Sequence, residues 1–312
     1  MIVLMNTQIL IKAKPFLKWA GGKSQLLPQF QDLYPVELKA GQIVRYIEPF
    51  VGGGAVFFDV ASRFDVQSFY LLDANEELIL VYRVVQQDPE ELVRQLQVMA
   101  MKYLALSGEE RKKFYYSVRE RFNAAQPYIN YRVYSRAWIE RAAQLLFMNR
   151  TCFNGLFRLN SKGQFNVPHG KYKNPKIVDP DNIYRASLLL QKAEIVSGDF
   201  TVCEQWVVEN TFIYFDPPYR PLNTTSNFTA YSRSGFSDTD QVRLANFFKR
   251  LAEKPNVYLM LSNSDPTNEN VHDDFFLKLY SGFNIHTVFA NRMINSNSER
   301  RGKLRELVIT NY

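Results

Sequence analysis

The chain has 312 residues, 46% of them hydrophobic and 22% charged, with a formal net charge of +7. That composition excludes a disordered, collagen-like or membrane-embedded chain and leaves room for about two domains. Two cysteines (Cys152 and Cys203) and three scattered histidines (His169, His272 and His286) share no ligand spacing. Neither a metal site nor a disulfide framework is expected, as suits a reducing cytoplasm.

The opening "MIVLMNTQIL" is apolar but short, and no basic residue precedes it. It makes a poor signal peptide and is too short to span a bilayer, so a cytoplasmic protein without membrane association is expected. "FLKWAGGKSQLLP" (Phe16 to Pro28) then places Trp19 and Lys23 around Gly21 and Gly22. The pair suits a ligand with an aromatic face and a carboxylate; a helix cap with a core tryptophan accounts for the residues equally well.

A strand is predicted over Arg45 to Phe50, ending in the glycine turn "EPFVGGG" (Glu48 to Gly54) before a helical "AVFFDVASRF". Glycines at a strand-to-helix turn let the backbone approach a ligand, although a tight turn alone also uses them. The next predicted strand, Ser68 to Asp73, ends in an acid about 20 residues further on, where nucleotide-binding α/β folds hold ribose hydroxyls. Phe57 replaces the third glycine of a dinucleotide fingerprint, and no P-loop is present. Those absences leave a smaller adenosine-bearing cofactor.

From about Asn75 to Arg150 the pattern is helical; from Asn149 to Lys176 it is polar, with Gly, Asn, Lys and Pro. Strands are predicted again at 194–200, 211–216, 257–263, 284–290 and 306–312, with a helix over 238–254. Alternating strands and helices predict an α/β fold with a mainly parallel sheet. The expected division is a catalytic domain in two parts, 1–76 and 179–312, around an inserted, mainly helical domain, 77–178.

The strand-like "FIYFDPPYRP" (Phe212 to Pro221) stops abruptly at a carboxylate, two prolines and an aromatic ring. Strand ends of open α/β sheets are where ligands bind. The Asp216 carboxylate and a carbonyl beside Pro217 and Pro218 make two acceptors at a fixed separation, matching the two N–H donors of an exocyclic amine. Tyr219 offers a stacking face. The set suits adenine N6, a poor nucleophile that such acceptors make more tetrahedral. Positioning beside a methyl sulfonium then does most of the catalysis.

Together "FLKWAGGK", "EPFVGGGAVFF", "GDF" (Gly198 to Phe200) and "DPPY", in this order around an insertion, resemble the Dam-type DNA adenine-N6 methyltransferases of the alpha group, over nearly the whole chain. The resemblance implies a Rossmann-like S-adenosylmethionine-dependent methyltransferase sheet with an inserted target-recognition domain. It implies that Trp19, Lys23, Asp73 and Asp216 contact S-adenosylmethionine, with Phe50, Gly52, Gly53, Asp199 and Phe200 beside it. Asp216, Pro217, Pro218 and Tyr219 would hold an adenine flipped out of double-stranded DNA, since N6 is out of reach in the stacked duplex.

Between Leu145 and Lys176 lie six basic residues (Arg150, Arg158, Lys162, Lys171, Lys173 and Lys176) and no acidic one. Interleaved with them are Phe147, Phe153, Phe157, Phe165 and Tyr172. This is the pattern of a phosphate-contacting surface, and a solvated loop explains the aromatics less well. "NRTCFNGLFRLNSKGQFNVPHGKYKNP" resembles the family's recognition hairpin. The likeness implies Phe153 as a wedge in the base stack, Asn154 near the vacated space, and Leu156 and Arg158 on the outer base pair. Lys171 departs from the arginine with which GATC enzymes read the first guanine; lysine lacks the planar fork.

GATC is the expected site, and a restriction endonuclease acting on it a possible partner. Cytosine N4 or an RNA adenine is the alternative amine, but cytosine enzymes more often carry Ser before Pro-Pro, and RNA or glutamine methylases Asn. A catalytically silent DNA-binding scaffold is the third reading, disfavoured by Asp73, Asp216 and Tyr219 together. The polar stretches 220–236 and 291–306 are read as loops facing DNA or as ordinary surface loops.

Overall fold

The computed structural model describes residues 11–220, 236–291 and 303–312. All seven predicted strands form: β1 (Arg45–Glu48), β2 (Ser68–Asp73), β3 (Ala193–Ser197), β4 (Thr211–Phe215), β5 (Val257–Ser264), β6 (Asn284–Asn291) and β7 (Lys303–Thr310). They build one sheet in the order β3-β2-β1-β4-β5-β7-β6. β1 runs parallel to both β2 and β4, and β4 parallel to β5. β7 alone is antiparallel, pairing Ser264 with Glu306 on one side and Val288 with Glu306 on the other. This is a Rossmann-like, mostly parallel sheet. The chain goes outward through β2 and β3 and returns to β4 on the other flank of β1. A switch of that kind opens a crevice at the carboxyl ends of β1 and β4.

The strands read as continuous apolar runs because both faces of the sheet are covered. Tyr46, Phe212, Tyr214, Met260 and Val308 point into one buried cluster, and Ile47, Ile213, Phe215, Leu261 and Ile309 into the other. Helices α1 (Leu27–Leu33), α2 (Val36–Lys39) and α3 (Ala55–Arg63) lie early in the chain. They are followed by α4 (Glu76–Gln87), α5 (Pro89–Leu104), α6 (Gly108–Ala125), α7 (Arg136–Thr151) and α8 (Pro180–Leu190). On the opposite face α9 (Asp238–Ala252) and α10 (Phe275–Leu279) supply Leu244, Phe248 and Phe276.

Three helix starts carry side-chain caps. The Asn75 side chain accepts the Leu78 N–H at the head of α4, and Glu110 accepts the Ser107 N–H at 2.9 Å ahead of α6. Ser237 and Asp240 bond each other reciprocally at the head of α9. Such caps satisfy N–H groups that a first turn leaves open.

The helical insertion is welded to the sheet. Leu92, Tyr103, Tyr115, Phe122 and Trp138 share one continuous apolar cluster with strand residues Tyr46 and Phe69. Inside it Arg141 is 2% exposed and bonds Glu77 through two guanidinium nitrogens, while a third reaches the Phe122 carbonyl at 2.9 Å. No helix among the described residues is long and apolar enough to cross a membrane.

Candidate active site

An open cleft of about 2690 Å³ runs along the carboxyl edge of the sheet. Its floor is the end of β4. There Asp216 meets Lys23, whose ammonium lies 2.6 Å from Oδ1 and 2.8 Å from Oδ2. Lys23 also donates to the Gly21 carbonyl at 2.7 Å. Lys23 is 3% exposed; burial alone pulls an ammonium down, but Asp216, Tyr219 and Glu306 outweigh it and hold the charge above its ordinary range. Burial pushes the Asp216 carboxyl up, while Lys23 and Ser262 hold it back.

Acceptor arithmetic shows what Asp216 still offers. Oδ1 takes Lys23 and, at 3.2 Å, the Ser262 hydroxyl, which is itself tied to Tyr214 at 2.7 Å. Oδ2 takes Lys23 alone among the described residues, so by count it keeps an unclaimed lone pair, and Asp216 lines the cleft. The Pro218 carbonyl already accepts one bond, from Gln241 at 3.1 Å, so Pro217 is the less engaged carbonyl to join Asp216. Tyr219 donates its hydroxyl to Glu306 at 2.7 Å, and its ring centroid lies 4.8 Å from the Lys23 ammonium. Glu48, buried beside this group, is pushed up by desolvation and accepts the Tyr46 hydroxyl at 2.6 Å.

The glycine turn borders the same cleft. Gly52 has φ +47, and a Cβ there would stand 2.9 Å from the Trp19 ring. Trp19 stacks on Phe157 at 5.5 Å, so the N-terminal turn, the glycine turn and the insertion meet at one indole. Gly53 follows, half-buried against Trp19. Asp73 receives the Gly52 N–H at 3.1 Å on Oδ2 and the Asn75 N–H at 2.9 Å on Oδ1. Burial lifts its carboxyl to about 6, with the two backbone donors opposing. Phe50 lies 5.4 Å from Phe200 and 5.8 Å from Phe236, an aromatic wall lining the cleft. Asp199 is turned outward and clamped by Arg243 at 2.7 and 2.9 Å; that bond, with Thr201, holds its carboxyl down to about 2.

The segment after α7 forms a hairpin-like excursion held by isolated bridges, Cys152 with His169 and Leu159 with Phe165. Its composition predicted an aromatic nucleic-acid surface, and here a correction is needed. Phe147, Phe157 and Phe165 are at most 2% exposed: Phe147 packs from α7 on Tyr103 and Phe114, while Phe157 and Phe165 fill the excursion, which with so little regular ladder needs apolar filling. Phe153 alone is presented, 52% exposed, on a turn where Asn154 adopts φ 54. The Asn154 N–H is held by the Tyr172 hydroxyl at 3.0 Å. Leu156 is half-buried against the core, and Arg158 is exposed and bonded to Asn166 at 2.8 Å. Lys171 is exposed at φ 55. Arg150 turns inward, its guanidinium 2.8 Å from the Phe16 carbonyl, and burial draws its pKa down.

Four residues of this site carry no local signal in the sequence: Ser262, Gln241, Glu306 and Asn149. Asn149, 2% exposed, receives the Lys18 N–H at 2.8 Å and donates to the Lys18 and Gly155 carbonyls at 2.9 Å each. It latches the N-terminal turn to the hairpin. Most of the stretches 220–236 and 291–306, read as loops facing DNA or as ordinary surface loops, lies outside the described residues; the end of the second, from Lys303, is strand β7 and not loop.

With this geometry in hand, comparison with known proteins is specific. The family model described as D12 class N6 adenine-specific DNA methyltransferase matches residues 19–294. The chain is 48% identical over 303 residues to the type II methyltransferase M.MjaIII of Methanocaldococcus jannaschii, covering 97% of this chain and 100% of that protein. It is 42% identical over 305 residues to the type II methyltransferase M1.LlaDCHI of Lactococcus lactis subsp. cremoris, covering 97% and 96%. A DNA adenine methylase of Vibrio cholerae is 33% identical over 297 residues, covering 95% of both chains.

Proposed function

The chain belongs to the D12-class N6 adenine-specific DNA methyltransferases, and from that premise we propose that it methylates N6 of a flipped adenine in double-stranded GATC, using S-adenosylmethionine. The observation that carries the reading is the unclaimed Oδ2 lone pair of Asp216 beside Pro217 and the Tyr219 ring. Two acceptors and a stacking face match a planar aromatic amine.

The cleft fits the cofactor. Each Asp73 oxygen already holds one backbone N–H and keeps a lone pair for a ribose hydroxyl. Phe50 and Phe200 offer rings to an adenine, and a bare Gly52 allows close approach. When bound, S-adenosylmethionine supplies a methyl group on a positively charged sulfonium. The chain's own residues then position the nucleophile. Asp216 and the Pro217 carbonyl hold the N6 hydrogens, which localises the nitrogen lone pair and aims it. No base is needed before attack, because the N6 proton becomes acidic as the N–C bond forms. Asp216 Oδ2, already bonded to that hydrogen, is the acceptor in reach. Lys23 opposes the burial that pushes the Asp216 carboxyl up, which favours its ionised form.

We assign target recognition to residues 77–178, with Phe153 as the wedge and Asn154, Leu156, Arg158, Lys171 and Tyr172 as its DNA-facing company. Arg150 serves the same surface from within, through Phe16. The relatives' type II names support a cognate endonuclease sharing the target site. The test is single-molecule mapping of modified bases on plasmid DNA from a methylation-deficient host expressing this chain. N6-methyladenine at GATC is the expected result. Modification at another motif would overturn the GATC assignment and implicate Lys171; modified cytosine would overturn the reading of Asp216.

A further inference from the structure

Glu306 stands outside every motif discussed above. It lies on β7, and because β7 runs antiparallel, a residue near its start comes to the same sheet edge where β4 ends. There it accepts the Tyr219 hydroxyl at 2.7 Å and lines the cleft. The Tyr219 ring has the Lys23 ammonium 4.8 Å from its centroid.

We propose that Glu306 is a positioning residue for methyl transfer, fixing the plane of the Tyr219 ring and enriching that ring in electrons. The proposal rests on the reading of this site as an adenine-methylating one. Two physical arguments carry it. A tyrosine that follows two prolines has a constrained backbone but a ring still free to turn about its own χ angles. Tying the hydroxyl to a strand residue removes that freedom before the base arrives, and a stacking contact gains from such preorganisation. Second, a phenol donating to a carboxylate has its O–H polarised, which pushes electron density into the ring and makes its face more negative. The ring already sits beside one cation, and positive charge builds on adenine as the N–C bond forms. A richer face stabilises that charge more in the transition state than in the ground state.

The test measures single-turnover methyl transfer to a GATC duplex, with separate Kd values for duplex and S-adenosylmethionine. The proteins are wild type, Glu306→Ala, Glu306→Gln, Tyr219→Phe and the Tyr219→Phe/Glu306→Ala double variant. Glu306→Ala is expected to slow transfer by about 10- to 100-fold while both Kd values stay within about twofold. Glu306→Gln, which keeps an acceptor without the charge, is expected to recover part of the rate. The double variant is expected to be no slower than the slower single one, because both substitutions remove the same contact. An unchanged rate in Glu306→Ala, additive losses in the double variant, or a loss confined to the Kd values would each overturn the proposal. A wild-type protein that transfers nothing to adenine would sink the functional reading and this inference together; an active wild type with an unaffected Glu306→Ala sinks the inference alone.

Discussion

Lys23 shows how one side chain can organise a site: its ammonium ties the Gly21 carbonyl to the Asp216 carboxylate. Replacing it with methionine removes the cation that holds the buried carboxyl down, so the Asp216 pKa rises. For Lys23→Met the acid limb of the transfer-rate profile is predicted to move to higher pH, with a loss of about 100-fold at pH 7. A profile that falls in rate without moving along the pH axis would contradict this role. Asp73 makes a second pH prediction. Its carboxyl, raised to about 6, must be ionised to accept ribose hydroxyls without losing its backbone donors. Cofactor affinity measured by calorimetry is therefore predicted to weaken by about tenfold between pH 7 and pH 5, and to be weaker and flat over that range in Asp73→Ala. Asp216 and Asp73 were legible because each ends an apolar strand. Ser262, Gln241 and Glu306 were not, because each reaches the site from another strand or helix, and only the sheet order brings them there.

At the scale of elements, the strands were readable because apolar runs bounded by polar residues agree with the sheet they form. The hairpin-like excursion was the exception. Its basic residues and aromatics were read as one surface, yet Phe147, Phe157 and Phe165 face inward and only Phe153 is fully offered. Composition cannot assign a side chain to a face where no strand period exists. The presentation of Phe153 depends on contacts far along the chain. Gly170 sits where a Cβ would lie 2.6 Å from both the Cys152 carbonyl and the Tyr172 ring, and Tyr172 holds the Asn154 N–H. Gly170→Ala is therefore predicted to displace Tyr172 and to loosen the turn that carries Phe153. Base flipping, followed by the fluorescence of 2-aminopurine at the target adenine, is expected to fall by about fivefold or more, with S-adenosylmethionine affinity unchanged. Normal fluorescence enhancement in Gly170→Ala would show that the turn does not govern flipping.

In the whole molecule, the sheet's switch at β1 and β4 sets the chemistry, and one continuous apolar cluster fixes the insertion against it. Asn149 and Trp19 sit at the seam, so the surface assigned to DNA and the turn assigned to the cofactor share a rigid base. The net charge of +7 agrees with a polyanionic substrate but has no power to choose one. That choice falls to Asp216. The most direct measurement gives wild type and Asp216→Ala the same GATC duplex with isotope-labelled S-adenosylmethionine, and scores N6-methyladenine by mass spectrometry alongside duplex binding. Labelled N6-methyladenine is expected from wild type, with a loss of at least about 1000-fold in Asp216→Ala at nearly unchanged duplex affinity. Comparable N6-methyladenine from both proteins would contradict that expectation.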